Sequence, residues 1–349
     1  MRLKKLSEQV IVITGATSGI GLTTARMAAR RGAKLVLAAR SEEALSQLEQ
    51  ELRAQGTECF GVPTDVGDQD AVESLAHVAK ARFGRIDTWV NNAGISIFGR
   101  TEDVSMEDQR RLFQTNFWGT VYGSLEAVKH LRKSGGALIN VGSEVSDVTV
   151  PLQGMYSASK HAVKGFTDAL RMELEKDGAP VSVTLIKPAA IDTLFTVHAK
   201  NYMDKEPRLP APLYAPELVA EAILSAAEKP QRDIFVGGAA KANSLGAFHM
   251  PRFFDKYAEA FMFGQQRSDR PSARNRKDAL HAPDESQELK QSRNQEGTHR
   301  NSIYTRVTTG ASPMKLALLG GGALMAAWML SRQSQARPEG RRQLGARPH

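Results

Sequence analysis

The chain has 349 residues, of which 41% are hydrophobic, 24% charged and 6% aromatic, enough apolar material for a sizeable core and too much for a wholly disordered polymer. A single cysteine, Cys59, excludes an intramolecular disulfide, and residues 1–20 lack a basic-then-apolar leader, so a reducing, cytoplasmic setting is expected. The net charge of +8 sits in the tail: residues 265–349 carry 15 Lys and Arg against 7 Asp and Glu, and residues 1–264 carry 31 of each, which leaves the folded part no electrostatic footprint for nucleic acid.

Residues 1–264 alternate short β-branched runs with longer helical patterns, the signature of an α/β, doubly wound (Rossmann) parallel sheet of seven strands with helices on both faces. The first strand is 10–14, and Thr14-Gly15-Ala16-Thr17-Ser18-Gly19-Ile20-Gly21 follows it into a helix over 20–31. Glycines at 15, 19 and 21 permit a tight turn and close backbone approach to a pyrophosphate at a helix N-terminus; the alternative is a tight turn without ligand. The second strand, 35–39, ends in Ala38-Ala39-Arg40-Ser41, without the acid that would hold ribose hydroxyls. Arg40 offers a guanidinium to a 2′-phosphate, favouring NADP(H) over NAD(H), unless it is simply a solvated charge.

A helix over 42–54 leads to the third strand, 58–62, and then to Asp65-Val66. Asp65 either accepts from an adenine amino group or caps the helix over 68–83. The fourth strand, 88–92, runs into Asn91-Asn92-Ala93-Gly94, at a strand end where open α/β sheets bind ligands; both asparagines would also suit a turn. A long helix is expected over 105–133, then a strand over 137–142 ending at Ser143, whose hydroxyl can polarise a reacting oxygen.

Tyr156 and Lys160, four apart in a helix over 156–177, share one face. Charges about 4 Å apart at an effective dielectric near 20 interact by roughly 4 kcal/mol, so the ammonium is expected to draw the phenol toward neutral pH as an acid or base. Taken alone, such a pair is more often an ordinary helix-surface contact. A strand over 181–187, a connection over 194–215 with the character of an apolar lid, a helix over 216–228 and a strand over 233–238 complete the alternation. His198 in that connection reads as packed or solvated, and the aromatic stretch of His249, Phe253, Phe254, Tyr257, Phe261 and Phe263 would wall the substrate pocket, pack against another subunit or, as its amphipathic pattern favours, shield the domain's own core. No His, Cys, Asp and Glu spacing suits a metal.

TGATSGIG (14–21), NNAG (91–94), Asn116 within TNFWG, Ser143 thirteen residues before Tyr156, and YSASK (156–160) together resemble the short-chain dehydrogenase/reductase family over roughly residues 6–240. The resemblance implies a catalytic set of Asn116, Ser143, Tyr156 and Lys160: Tyr156 moving the proton at the carbonyl or alcohol oxygen, Lys160 also binding the nicotinamide ribose, and Asn116 holding a water, although a buried polar role for Asn116 is also chemically reasonable. It implies cofactor contacts from Gly15, Thr17, Ser18, Gly19, Ile20, Gly21, Arg40, Asp65, Val66, Asn91, Ala93, Gly94, Tyr156, Lys160, Pro188, Ile191 and Thr193. Ala189 stands where the family usually has glycine, which puts the local backbone and the substrate edge in doubt. A homodimer or homotetramer follows from the same analogy.

Residues 265–313 are crowded with polar side chains and read as a disordered linker. Residues 314–331 are hydrophobic, with an uncharged run over 316–330 of about 22 Å as a helix, short for a ~30 Å hydrocarbon core. It would anchor the chain to a membrane, lie in the interface, or dock on protein, and a basic tail over 332–349 follows. The expected function is hydride transfer between NADP(H) and a lipophilic carbonyl or secondary alcohol. The competing classes are a non-catalytic dinucleotide-binding sensor and a membrane-tethered scaffold.

Overall fold

The apolar runs form β1 (Val10–Thr14), β2 (Lys34–Ala39), β3 (Cys59–Pro63), β4 (Thr88–Asn91), β6 (Gly136–Val141), β7 (Val181–Pro188) and β10 (Asp233–Val236), in a computed structural model that describes residues 1–273 and 275–310. They make one parallel sheet in the order β3-β2-β1-β4-β6-β7-β10. Alternate side chains go to opposite faces, and both faces are buried. Ile11, Ile13, Leu35, Leu37 and Ile139 meet α1 (Gly19–Arg30), α2 (Glu42–Ala54) and α8 (Pro216–Glu228) in one apolar cluster. Val10, Val12, Val36, Trp89 and Leu138 meet α3 (Gln69–Phe83), α5 (Gly119–Ser134) and α6 (Gly154–Lys176) in another. Because β1 lies between β2 and β4, the connections leave in opposite directions there and open a crevice at the strands' carboxyl ends.

The helix starts follow local chemistry. Ser41, Asp68 and Ser105 accept backbone N–H bonds as N-caps of α2, α3 and α4 (Met106–Phe113), and Gly84 ends α3 with φ of 72°. The single helix expected over 105–133 is two, α4 and α5, joined by a π-helical turn over Gln114–Trp118 that carries Asn116. One wider turn re-aims the side chains it contains, which periodicity alone does not reveal.

The connection over 194–215 is tied down by short elements: α7 (Phe195–His198), β8 (Lys200–Asn201) paired with β5 (Ile97–Phe98), and β9 (Lys205–Pro207) paired with β11 (Arg267–Pro271). After β10 come α9 (Gly238–His249), α10 (Pro251–Tyr257), a π-helical turn over Ala258–Met262 and α11 (Phe263–Gln265). The expectation that this aromatic stretch packs a core is corrected: Phe248, Phe253 and Phe261 are 80%, 69% and 57% exposed, while Met262 is buried.

The reading of 265–313 as a disordered linker is also corrected for its described residues. Besides β11 it holds a 3-10 turn over Glu285–Gln287 and α12 (Ile303–Thr309), which packs on α8 and β10. Polar bonds fasten it, as in Arg276 to Glu206 at 3.0 Å and Gln295 to Asp192 at 2.9 Å, with the fully buried Leu280 as an apolar anchor. A composition rule that counts large apolar side chains misses a segment fastened by hydrogen bonds to a finished domain. Among the described residues no helix is long and apolar enough to cross a membrane, and the run over 316–330 lies outside them.

Candidate active site

The crevice is built first from the turn after β1. Gly15 has φ of 65° and Gly19 of 52°, a region that side chains disfavour. The Thr14 hydroxyl accepts from the N–H groups of Asn92 at 3.0 Å and Ala93 at 3.1 Å, and the Asn92 amide donates to the carbonyls of Thr14 and Gly15. The ends of β1 and β4 are thus stitched into one wall.

Asn91 belongs elsewhere. Its Oδ1 accepts from the Trp89 indole at 2.8 Å and its amide donates to Ser124 and to Asn140, the latter at 2.9 Å, all among buried side chains. The Asn91 side chain therefore does not border the cavity, which Asn92, Ala93 and Gly94 line. Asn91 points with Trp89 because they are two apart in one strand.

Asn116 is fully buried and bonded on both sides: Oδ1 accepts from Ile95 N–H and Nδ2 donates to Ile95 C=O, each at 2.9 Å, while Nδ2 also reaches Ser159 at 3.1 Å. It clamps the loop after β4 to α6, one residue before Lys160. Ser143 follows β6 and its Oγ accepts from Val145 N–H at 3.3 Å, which leaves the hydroxyl proton to be donated. Tyr156 and Lys160 rise from the first turns of α6, with Phe195 against the Tyr156 ring at 5.3 Å.

The electrostatics differ from the expected pairing. Lys160 Nζ lies 5.9 Å from the Tyr156 ring centre and donates to the Val141 carbonyl at 2.9 Å. Burial raises the Tyr156 phenol well above its ordinary range, the Ser143 hydroxyl draws it back and Glu144 pushes it further up. Burial brings Lys160 down to about 8. Desolvation is the largest cause for each group and moves the two in opposite directions, the phenol up and the ammonium down, against the draw toward neutral pH expected from their spacing.

Ser143, Tyr156 and Lys160 line a cavity of about 390 Å³ with Gly15, Ser18, Gly19 and Ile20 of the glycine turn on one side and Pro188, Ile191 and Thr193 beyond β7 on another. Gly21 is the tight packing point beneath the turn, where a Cβ would lie 1.9 Å from the Gly15 carbonyl oxygen. Ala189 has no left-handed backbone, so a glycine is not required there. His198 borders the cavity, with burial lowering its imidazole to about 4.

Besides Gly21 and Asn91, four further expected cofactor contacts do not border this cavity. Thr17 is buried, and its carbonyl accepts from Leu289 N–H at 2.8 Å. Val66 packs against Gly119. Asp65 pairs with Arg111, and the cap of α3 is Asp68. Arg40 donates to the carbonyls of Ala279 and Leu280, with burial lowering its pKa.

Two pairs of cavity groups escaped the sequence reading. Glu144, directly after Ser143, presents a carboxyl that burial pushes up, with Asn243 of α9 donating to it at 2.9 Å. Gln153 donates to Gln266 at 2.6 Å, and both line the same cavity. Glu144 adjoins a singled-out residue and was legible by position, whereas Asn243 and Gln266 arrive from distant segments without a motif.

A sequence profile described as short chain dehydrogenase matches residues 9–203. The chain belongs to the short-chain dehydrogenase/reductase family. It is an oxidoreductase of that family. The uncharacterized oxidoreductase YxnA of Bacillus subtilis is 51% identical over 284 residues, 80% of each chain. Dehydrogenase/reductase SDR family member 7B of Bos taurus is 35% identical over 239 residues, 64% of this chain and 72% of that one. Among solved structures, a short chain dehydrogenase/reductase from Burkholderia phymatum in complex with NAD matches with a TM-score of 0.64 at 26% identity, covering 78% of this chain and all of that one. An alcohol dehydrogenase from the archaeon Thermococcus sibiricus, complexed with 5-hydroxy-NADP, matches with a TM-score of 0.58 at 29% identity, covering 65% of this chain and 95% of that one. In this short-chain dehydrogenase the YSASK residues over 156–160 form the first turns of α6, and TGATSGIG over 14–21 joins β1 to α1.

Proposed function

We propose that this short-chain dehydrogenase transfers hydride between NADP(H) and a lipophilic carbonyl or secondary alcohol. The observation that carries the reading is the convergence of Ser143, Tyr156 and Lys160 on one cavity whose opposite wall is the glycine turn. The residues fit a dinucleotide: the α1 N-terminus and the close approach at Gly15 suit a pyrophosphate, and Asn92 to Gly94, Pro188, Ile191 and Thr193 would flank the nicotinamide. When bound, the dinucleotide supplies hydride to the substrate carbon or takes it up.

The chain's own residues handle the proton. Tyr156, kept protonated by burial, donates to the carbonyl oxygen during reduction, and the Ser143 hydroxyl donates a second bond to that oxygen. The Lys160 ammonium stabilises the phenolate that Tyr156 becomes, and Asn116 positions Lys160 by clamping α6 through Ser159. Val145, Val148, Val150, Leu209, Tyr257 and Met262 border the same cavity, which suits an apolar substrate. An assay of NADPH consumption with steroid, fatty, retinoid and quinone carbonyls tests the reading; no consumption with any of them, and no NADP+ reduction by the matching alcohols, overturns it.

Two further results are expected. Lys160 is cationic below its value of about 8 and neutral above it, so kcat for reduction should fall as pH rises from 7 to 9, and Lys160→Met should remove that limb of the profile. A rate flat across that range would show that the ammonium does not act on the proton transfer. Arg40 closes β2 where an acid would select NAD, and a charge-assisted bond to phosphate contributes about 1.5–3 kcal/mol. Arg40→Asp should therefore lower the NADPH-to-NADH preference in kcat/KM by roughly 10–100-fold; an unchanged ratio would remove Arg40 as the reader of the 2′-phosphate.

A further inference from the structure

The groove that would take the dinucleotide is open on its nicotinamide side and filled on its adenosine side by the chain's own residues 279–290. Leu289 N–H donates to the Thr17 carbonyl at 2.8 Å and Gly19 N–H donates to the Lys290 carbonyl at 2.9 Å, so this segment crosses the glycine turn like an added strand. Arg40 donates to the carbonyls of Ala279 and Leu280, and Arg111 donates to Leu280 C=O at 3.2 Å. The Ser41 hydroxyl donates to Glu285. Leu280 itself is completely buried, in the apolar cluster that includes Ile95, Leu112 and Tyr156.

We propose that residues 279–290 are an intrasteric strap, which occupies the adenosine half of the groove and must leave it before a dinucleotide can bind. The proposal rests on the dinucleotide reading above and adds a competitor encoded in the same chain. The strap's chemistry suits a stand-in for a polyanion: residues 278–290 contain Asp278, Asp284, Glu285 and Glu288 against the single lysine Lys290, laid over a site with two guanidinium groups.

Three observations make the strap displaceable. Leu289 adopts φ of 59°, a left-handed conformation that is costly for a branched side chain, at the residue that bonds the glycine turn. Glu288 Oε2 is buried without a hydrogen-bond partner, and burial pushes that carboxyl up more than the Thr17 hydroxyl draws it back, so it gains little from its position. Arg40 bonds neutral carbonyls there, whereas a phosphate offers it charge-assisted, bidentate bonds. The flanks are held more firmly: Arg276 donates to Glu206 and to the carbonyls of Thr196 and Val197, and Asp192 accepts from the Gln295 backbone at 3.0 Å and side chain at 2.9 Å. Only the middle of the segment has to move.

The test uses the full chain, with Leu280→Ser loosening the apolar anchor and Glu285→Ala, at an exposed position, as the variant least able to disturb folding. NADPH affinity is read by its fluorescence, and hydrogen exchange of peptides covering 279–290 is read with and without NADPH. Each variant should bind NADPH several-fold more tightly than the parent, and NADPH should increase exchange over 279–290 while leaving 293–298 unchanged. Equal or weaker affinity in both variants, or slower exchange over 279–290 with NADPH, would overturn the strap, the latter showing a lid that closes over bound cofactor. If parent and variants alike bind neither NADPH nor NADH, the dinucleotide reading fails and the strap falls with it.

Discussion

Tyr156→Phe should lower kcat for carbonyl reduction by roughly 10²–10⁴-fold, the usual contribution of a positioned acid, and leave NADPH affinity within a factor of about two. The replacement keeps the ring, so the packing against Phe195 at 5.3 Å and the start of α6 persist. What disappears is the one buried phenol that shares the cavity with Ser143 and Lys160. Burial has already raised that phenol, which favours holding the proton until a developing alkoxide demands it. Steady-state kinetics on any carbonyl found in the substrate panel, with NADPH fluorescence run in parallel, checks both halves. Near-parental turnover would mean that another group supplies the proton, and the cavity's next titratable candidate is Glu144, whose carboxyl burial pushes up.

Gly21→Ala is expected to have the largest effect on stability. A Cβ there would lie 1.9 Å from the Gly15 carbonyl oxygen and 2.6 Å from Asn92 Nδ2. Neither neighbour can retreat, because Asn92 is bonded to Thr14 and Gly15, and the turn leads straight from β1 into α1 with Ala16 and Leu22 fully buried. Overpacking of a rigid site costs about 3 kcal/mol or more, and a lowering of Tm by roughly 6–12 °C follows for a domain of this size. Gly165→Ala is the matched control: nothing lies within 4 Å of the place its new methyl would take, and α6 should gain about 0.5–1 kcal/mol from the lost chain entropy. Calorimetric unfolding of both variants decides the matter; similar Tm values would show that the turn relaxes at little cost.

These two sites mark how far local patterns reach. The glycine turn and the Tyr156–Lys160 spacing are properties of a strand end and of one helix face, so they survive being read without a fold. The orientation of Asn91 was also legible, since it shares strand parity with Trp89, but the motif that drew attention to NNAG concealed it. The opposite is true of Asn243 and Gln266, which reach the cavity from α9 and from the residue after α11. No spacing rule connects them to Ser143.

Seven short β-branched runs alternating with helical patterns were enough to specify a sheet buried on both faces, because a strand covered by helices on each side needs apolar side chains at successive positions. The order of the strands carries no such local signal: that β1 lies between β2 and β4 depends on where each crossing helix packs, which only the assembled sheet decides. The fate of residues 265–310 could likewise be settled only by assembling the molecule. Their attachment depends on hydrogen bonds to groups such as Arg40, Thr17 and Asp192, which the folded sheet brings together and which lie far away along the chain. Contacts of that kind leave no periodic trace, since each donor finds its acceptor in space rather than in sequence.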